Sequence, residues 1–261
     1  NLVQQTRTYI KSILGFKSVR LIERSTNYGL ANNIIDGVTS VINEYGKVIV
    51  LEDDLIVSSC FLKYMNDALD LYENKEDVCC IHGYVYPVKK PLPETFFIKG
   101  ADCWGWATWK RGWDLFCSDG KALLGEIGKN GIELQRYKGL GEMNPEFDFS
   151  NSYPYCRMLK HQIEGRNNSW AVRWYASAFL HNKLTLYPGR SLVNQIGMDG
   201  SGTHCSTNEM FDVPLTNSPI VLSNIDIQES KQGRDAFIYY FRYIMFYYKV
   251  KARLKRIFKI S

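Results

Sequence analysis

The chain has 261 residues, of which 45% are hydrophobic and 23% charged; this suits one large α/β domain or two small ones and excludes a disordered chain, a collagen-like polymer and a multi-span membrane protein. Aromatic residues reach 14%, with 17 Tyr and 6 Trp, enough for a large core and for a site that stacks flat ligands or sugar rings. The net charge of +5 is uneven: Arg234 to Ser261 holds eight Lys/Arg against one Asp, and the rest of the chain 24 Lys/Arg against 26 Asp/Glu. The basic balance therefore belongs to a tail, and a nucleic-acid partner is not expected for the body.

In chain order, residues 3–14 read as a helix and 18–23 as a short strand. Leu30, Ile34, Ile35, Val38, Val41 and Ile42 share one helical face over 29–45. Lys47 to Leu51 is a continuous apolar run of the kind buried in parallel sheets. Ser59 is expected to cap a helix carrying Phe61, Met65, Ala68, Leu69 and Tyr72. Strands are expected at 78–81, 96–99 and 184–187, a loop entering a helix at 104–116, an irregular excursion over 117–152, a helix at 170–182, and a Gly-rich loop from 188 to 204. Alternation of strand and helix indicates an α/β fold. Seven Cys, at 60, 79, 80, 103, 117, 156 and 205, show neither CxxC spacing nor a Cys/His pattern, which speaks against a disulfide framework and a zinc site and for a reducing, cytoplasmic compartment.

Glu52-Asp53-Asp54 follows the apolar run directly. Ligands of open α/β sheets bind beyond the carboxyl ends of strands, and carboxylates there suit a hard divalent cation that neutralises a diphosphate. The plainer alternative is an acidic loop favouring the N-terminus of the next helix. Asn27 with Gly29 also reads as a turn.

Asn27-Tyr28-Gly29-Leu30-Ala31, a helix, a strand and Leu51-Glu52-Asp53-Asp54 resemble the GT-A glycosyltransferases, nearest to bacterial family 2-like sugar transferases and more distantly to eukaryotic N-acetylglucosaminyltransferases of the N-glycan and protein O-mannose pathways. The resemblance covers about residues 15–205. It implies a Rossmann-like, mainly parallel sheet flanked by helices over residues 1–230, with the first strand missing ahead of Asn1. It also implies a nucleotide-sugar donor, a glycan or lipid-linked acceptor, and Mn2+ or Mg2+ held in the acidic motif. Asp54 stands where the direct metal ligand is found, Glu52 and Asp53 where sugar, ribose or metal are supported, and Asn27 where the nucleotide is contacted. Gly100 to Trp106 resembles the loop between donor and acceptor halves, which makes Trp104, Gly105 and Trp106 substrate-binding candidates; Trp109 and Trp113 are assigned to the core. Ser169 to Trp174 resembles the acceptor side and adds Trp170 and Arg173. Gly197 to His204 resembles a loop closing over the nucleotide, with His204 a metal-ligand candidate.

An inverting transfer needs a base near the acceptor hydroxyl. Ala171 and Val172 stand where relatives carry it, and neither accepts a proton. Asp102 and Glu164 are the substitutes, with Asp148 a weaker one. Two rivals from other classes are a non-catalytic sugar-binding module and a nucleotidyltransferase, the latter without the basic Gly-rich phosphate loop it needs. Residues 231–261 join an aromatic block, Phe237 to Tyr248, to Lys249, Lys251, Arg253, Lys255, Arg256 and Lys259. Three fates are open for this tail: a helix on an anionic membrane at the inner face of the plasma membrane, a helix packed on the body, or an RNA contact.

Overall fold

The computed structural model describes residues 2–131, 144–198 and 209–258. The chain is a mixed α/β protein. Helices α1 (Leu2–Lys11) and α2 (Leu30–Tyr45) precede strand β1 (Lys47–Val50), short strand β2 (Leu55–Val57), helix α3 (Phe61–Leu71), strands β3 (Val78–His82), β4 (Thr95–Lys99) and β5 (Trp106–Trp109), and the single turn α4 (Lys110–Trp113). Helices α5 (Gly120–Gly131), α6 (Tyr155–Ile163) and α7 (Trp170–Leu180), strands β6 (Leu184–Pro188) and β7 (Val193–Gln195), and the long helix α8 (Lys231–Phe258) complete it.

Five strands form the main sheet in the order β1-β5-β3-β6-β4, and β2 pairs with β7 in a separate ribbon. The sheet is not mainly parallel. Among the strands of the described residues only β3 and β6 pair in parallel; β1 with β5, β3 with β5, and β4 with β6 are antiparallel. Two of the three antiparallel pairs involve β5, which the sequence pattern does not reveal: Trp106-Ala107-Thr108-Trp109 is buried on both faces and lacks the alternation that marks a half-exposed strand; the third is β4 running against β6. Strand β5 inserts against the run of β1 and β3.

Several local expectations change in the same way. Residues 18–23 form no strand, for an alternating segment without a ladder partner has no sheet to join. Ser58, not Ser59, serves the start of α3, its hydroxyl accepting the Cys60 N–H at 3.1 Å. Part of the expected 117–152 excursion is helix α5. Two apolar clusters flank the sheet. One joins α3, β3, β4, β6 and the first half of α8; the other is built on Trp106, Trp113, Trp170 and Trp174 beneath α2.

Candidate active site at one edge of the sheet

Register fixes which loops meet. Val50, at the end of β1, pairs with Trp106, and Trp106 pairs with His82 at the end of β3. The acidic turn after β1, the segment after β3 and the residues just before β5 therefore share one edge, and β6 ends there too because it runs parallel to β3; the 100–105 segment reaches that edge from the far end, where Gly100 N–H donates to Lys183 O at 2.8 Å. The β2/β7 ribbon is tied to the same edge: Leu192 N–H donates to Gly83 O at 2.9 Å, Gly83 N–H to Gly105 O at 2.7 Å, and Ile196 N–H to Asp54 O at 2.8 Å.

Within the acidic turn Asp53 is exposed, while Glu52 and Asp54 are half-buried. Burial first, then the charges of Asp54 and Asp53, raise the Glu52 carboxyl to about 7. Asp54 Oδ2 accepts from Gln195 Nε2 at 2.9 Å, and Gln195 Oε1, buried, has no partner among the described residues. Gly197 leans on the same carboxylate, for a Cβ there would lie 2.4 Å from Asp54 Oδ2.

Among the described residues no three His, Cys, Asp or Glu side chains converge as a metal cage. Mg2+ and Mn2+ do not require one, since they are commonly held by one or two carboxylates together with substrate phosphates and water. A turn of hard oxygen donors, with an unpartnered amide oxygen beside Asp54, fits such a cation. His204 lies outside the described residues.

Asp102 is the second centre. Its Oδ2 accepts the Tyr187 hydroxyl at 2.9 Å and the Tyr86 hydroxyl at 3.2 Å, and its Oδ1 accepts the Cys103 N–H at 2.8 Å. The Cys103 thiol also donates to this carboxylate, and the side chain keeps 18% of its surface exposed. Tyr86 and Tyr187 are buried, and burial, reinforced by the Asp102 charge, pushes both phenols well above their ordinary range, so they stay donors. The same two causes act on Tyr155, and the Asp102 charge also reaches Tyr153. The result is a carboxylate in a tyrosine-lined niche.

His82 lies beneath it. Its Nε2 sits 3.9 Å from Asp102 Oδ1 but accepts the Trp104 N–H at 3.1 Å. Burial lowers the pKa of this wholly buried ring, so it is neutral and the approach is no ion pair. Burial and the charges of Asp102 and Glu52 push the Cys103 thiol well above its ordinary range, which ties the acidic turn and the niche to one electrostatic neighbourhood.

The other expected residues divide. Trp104 is half-buried at the site, edge-on to Tyr84 at 4.9 Å and to Phe211 at 5.4 Å. Trp106 is wholly buried and stacked on Trp170, itself buried, at 5.5 Å, so neither offers a face to a sugar. Gly105 has φ +65°, and a Cβ there would meet Val193 at 2.7 Å: its freedom serves packing, not ligand approach. Arg173 is buried, its guanidinium committed to the Ser169 and Ser118 carbonyls. Glu164 is exposed at the end of α6 and paired with Arg166 at 3.1 Å. Asp148 accepts the Cys156 N–H in the first turn of α6. Asn27 is a turn former, Oδ1 accepting the Gly29 N–H at 2.8 Å. It lines a cleft of roughly 460 Å³ with Arg7, Arg24 and Tyr28 that shares no residue with the Asp102 niche.

Tyr86, Tyr187, His82 and Gln195 are not among the residues that sequence motifs single out. Tyr86 and Tyr187 stand at or just past the carboxyl ends of β3 and β6, so the rule that singles out the acidic turn after β1 finds them too when it is applied to every strand. Comparison with protein-family models gives no match, and comparison with curated proteins gives none either.

Proposed function

We propose that the chain is a metal-dependent glycosyltransferase of the GT-A type, moving a sugar from a nucleoside diphosphate donor to a hydroxyl of a glycan or glycolipid. One observation carries this: the hard-oxygen turn Glu52–Asp54 and the tyrosine-held carboxylate of Asp102 share one sheet edge. Asp54, braced by Gln195, would hold the cation, with Glu52 and Asp53 in support. When bound, Mn2+ or Mg2+ supplies charge neutralisation for the departing diphosphate.

The chain's own residues account for the rest. Asp102 Oδ1 takes the proton of the acceptor hydroxyl while that oxygen bonds to the anomeric carbon and the bond from carbon to diphosphate oxygen breaks, its electron pair leaving with the diphosphate. Tyr86 and Tyr187 occupy Oδ2 and so orient the carboxylate. Trp104 borders the niche and offers a partly exposed indole to the sugar. Inversion at the anomeric carbon follows from this single displacement.

Calorimetric titration of UDP and of GDP, with and without Mn2+, tests the donor half on the wild type, Asp54→Ala and Asp102→Asn. The expected result is cation-dependent nucleotide binding that Asp54→Ala loses and Asp102→Asn keeps. Glycan binding without nucleotide or cation dependence would overturn the transferase and favour a sugar-binding module.

A further inference from the structure

Helix α8 carries two apolar faces, and among the described residues only one is buried in the core. Phe237, Tyr240, Phe241 and Ile244 are buried in the core; Phe237 and Phe241 each meet Tyr86 edge-on at 4.9 Å. Tyr239, Tyr243, Phe246, Tyr247, Val250 and Leu254 are 40–67% exposed. Their spacing of three and four residues sets them in one stripe about 100° wide, turned well away from the core face. A helix that merely packs on its own domain needs one stripe; the second, mainly aromatic, faces water.

The charges beside it differ from those at the start of the helix. Lys231 pairs with Asp235, and Arg234 with Glu229 at 2.9 Å. Arg242, Lys249, Lys251 and Arg253 are exposed and, among the described residues, form no ion pair with a carboxylate. At 100° per residue, Arg242, Lys249 and Arg253 line one flank of the stripe and Lys251 the other, its ammonium 5.8 Å from the Tyr247 ring. Aromatic rings between flanking cations match the chemistry of an anionic bilayer surface, where rings enter the headgroup layer and cations meet lipid phosphates. Among the described residues no helix is long and apolar enough to cross a membrane.

We infer that α8 docks the protein on an anionic lipid surface through the stripe from Tyr239 to Leu254, lying in the interface and not spanning it. The core face of the same helix contacts Tyr86, whose hydroxyl holds Asp102, so about one helix diameter, ~10–12 Å, separates the lipid surface from the wall of the niche. The docking itself stands apart from the transfer proposal: it needs neither nucleotide nor cation, so either can fail alone.

Cosedimentation of the whole chain with vesicles of phosphatidylcholine, and of phosphatidylcholine enriched in phosphatidylglycerol, tests it. Strong partition onto the anionic vesicles, weak partition onto the neutral ones and release by salt are expected. The double variant Tyr243→Ser/Phe246→Ser should bind at least about tenfold more weakly, and Lys249→Gln and Arg253→Gln about fivefold more weakly each; all four positions are exposed, and circular dichroism should match the wild type. Equal partition onto both vesicle types would overturn the inference. So would a dimer in light scattering that the Tyr243→Ser/Phe246→Ser variant abolishes, or tighter binding to an RNA homopolymer than to the anionic vesicles.

Discussion

Two aromatic clusters lie along the 100–106 segment and do opposite things. Around Trp106 the indoles of Trp113, Trp170 and Trp174 pack ring to ring, and the Nε1 group of Trp106 is buried without a partner among the described residues. Around Asp102 the rings are tyrosines, and their hydroxyls converge on a carboxylate. A large ring enclosed by other rings is core, and one whose hydroxyl reaches a partly exposed carboxylate belongs to a candidate site. Sequence order places Asp102 and Trp106 four residues apart, yet they belong to different physical worlds.

The sharpest way to break that contrast is to truncate each centre. Trp106→Ala should cost about 3–5 kcal/mol of folding stability, the range for deleting a large buried aromatic, read from chemical denaturation. A loss below about 1 kcal/mol would mean that the tryptophan cluster is not the core it resembles. Asp102→Asn should do the reverse. The amide oxygen still accepts from Tyr86 and Tyr187 but the amide nitrogen cannot accept the Cys103 N–H, so stability should fall by about 1–2 kcal/mol, while the rate of the proposed transfer falls by about 10²–10⁴, the usual contribution of a general base. Sugar transfer that survives Asp102→Asn undiminished would remove Asp102 from the chemistry.

Tyr187→Phe sharpens the comparison at smaller scale. It removes the shorter of the two hydroxyl bonds to Asp102, 2.9 Å against 3.2 Å, and nothing else of the ring. About 1 kcal/mol of stability should go, together with a drop in kcat of roughly tenfold. A purely structural tyrosine would move stability and leave kcat alone.

Much of this architecture is legible in the amino-acid sequence. The run 47–50, the helices 30–45 and 61–71, and the acidic turn at 52–54 follow from periodicity and from where strands end. Asp102 stands out only because the 100–106 segment resembles the loop between donor and acceptor halves. Strand β5 does not: four residues buried on both faces look like a loop when two of them are Trp. Without β5 the sheet reads as parallel, Trp106 reads as a surface ring, and the register that brings His82, Trp106 and Val50 into line is invisible. Tyr86 and Tyr187 lie 101 residues apart in sequence (86 and 187), and only the β3–β6 pairing joins them. Helix α8 admits three fates in sequence because one periodic pattern can hold two apolar stripes; burial alone tells which stripe the core takes.

Glu52 stands between the two kinds of environment, half-buried like the niche yet without a donor among the described hydrogen bonds, and it makes the smallest test. Its carboxyl is raised to about 7 by burial and by the charges of Asp54 and Asp53, against an ordinary value near 4.3 for an unfolded chain. A raised pKa means the folded state binds the proton more tightly than the unfolded one. The stabilising contribution is therefore complete below about 4.3 and is lost as pH rises through about 7. Glu52→Gln removes that dependence, so its stability advantage over the wild type should grow between about pH 5 and 8 by on the order of 1 kcal/mol, discounted for the part of the side chain that water reaches. Millimolar Mg2+ or Mn2+ should flatten the wild-type slope, because cation binding at this turn favours the ionised carboxylates. Equal slopes for wild type and Glu52→Gln would show that the three acids do not act on one another as a cation site requires, and the contrast between a charged edge and an apolar interior would then rest on Asp102 alone.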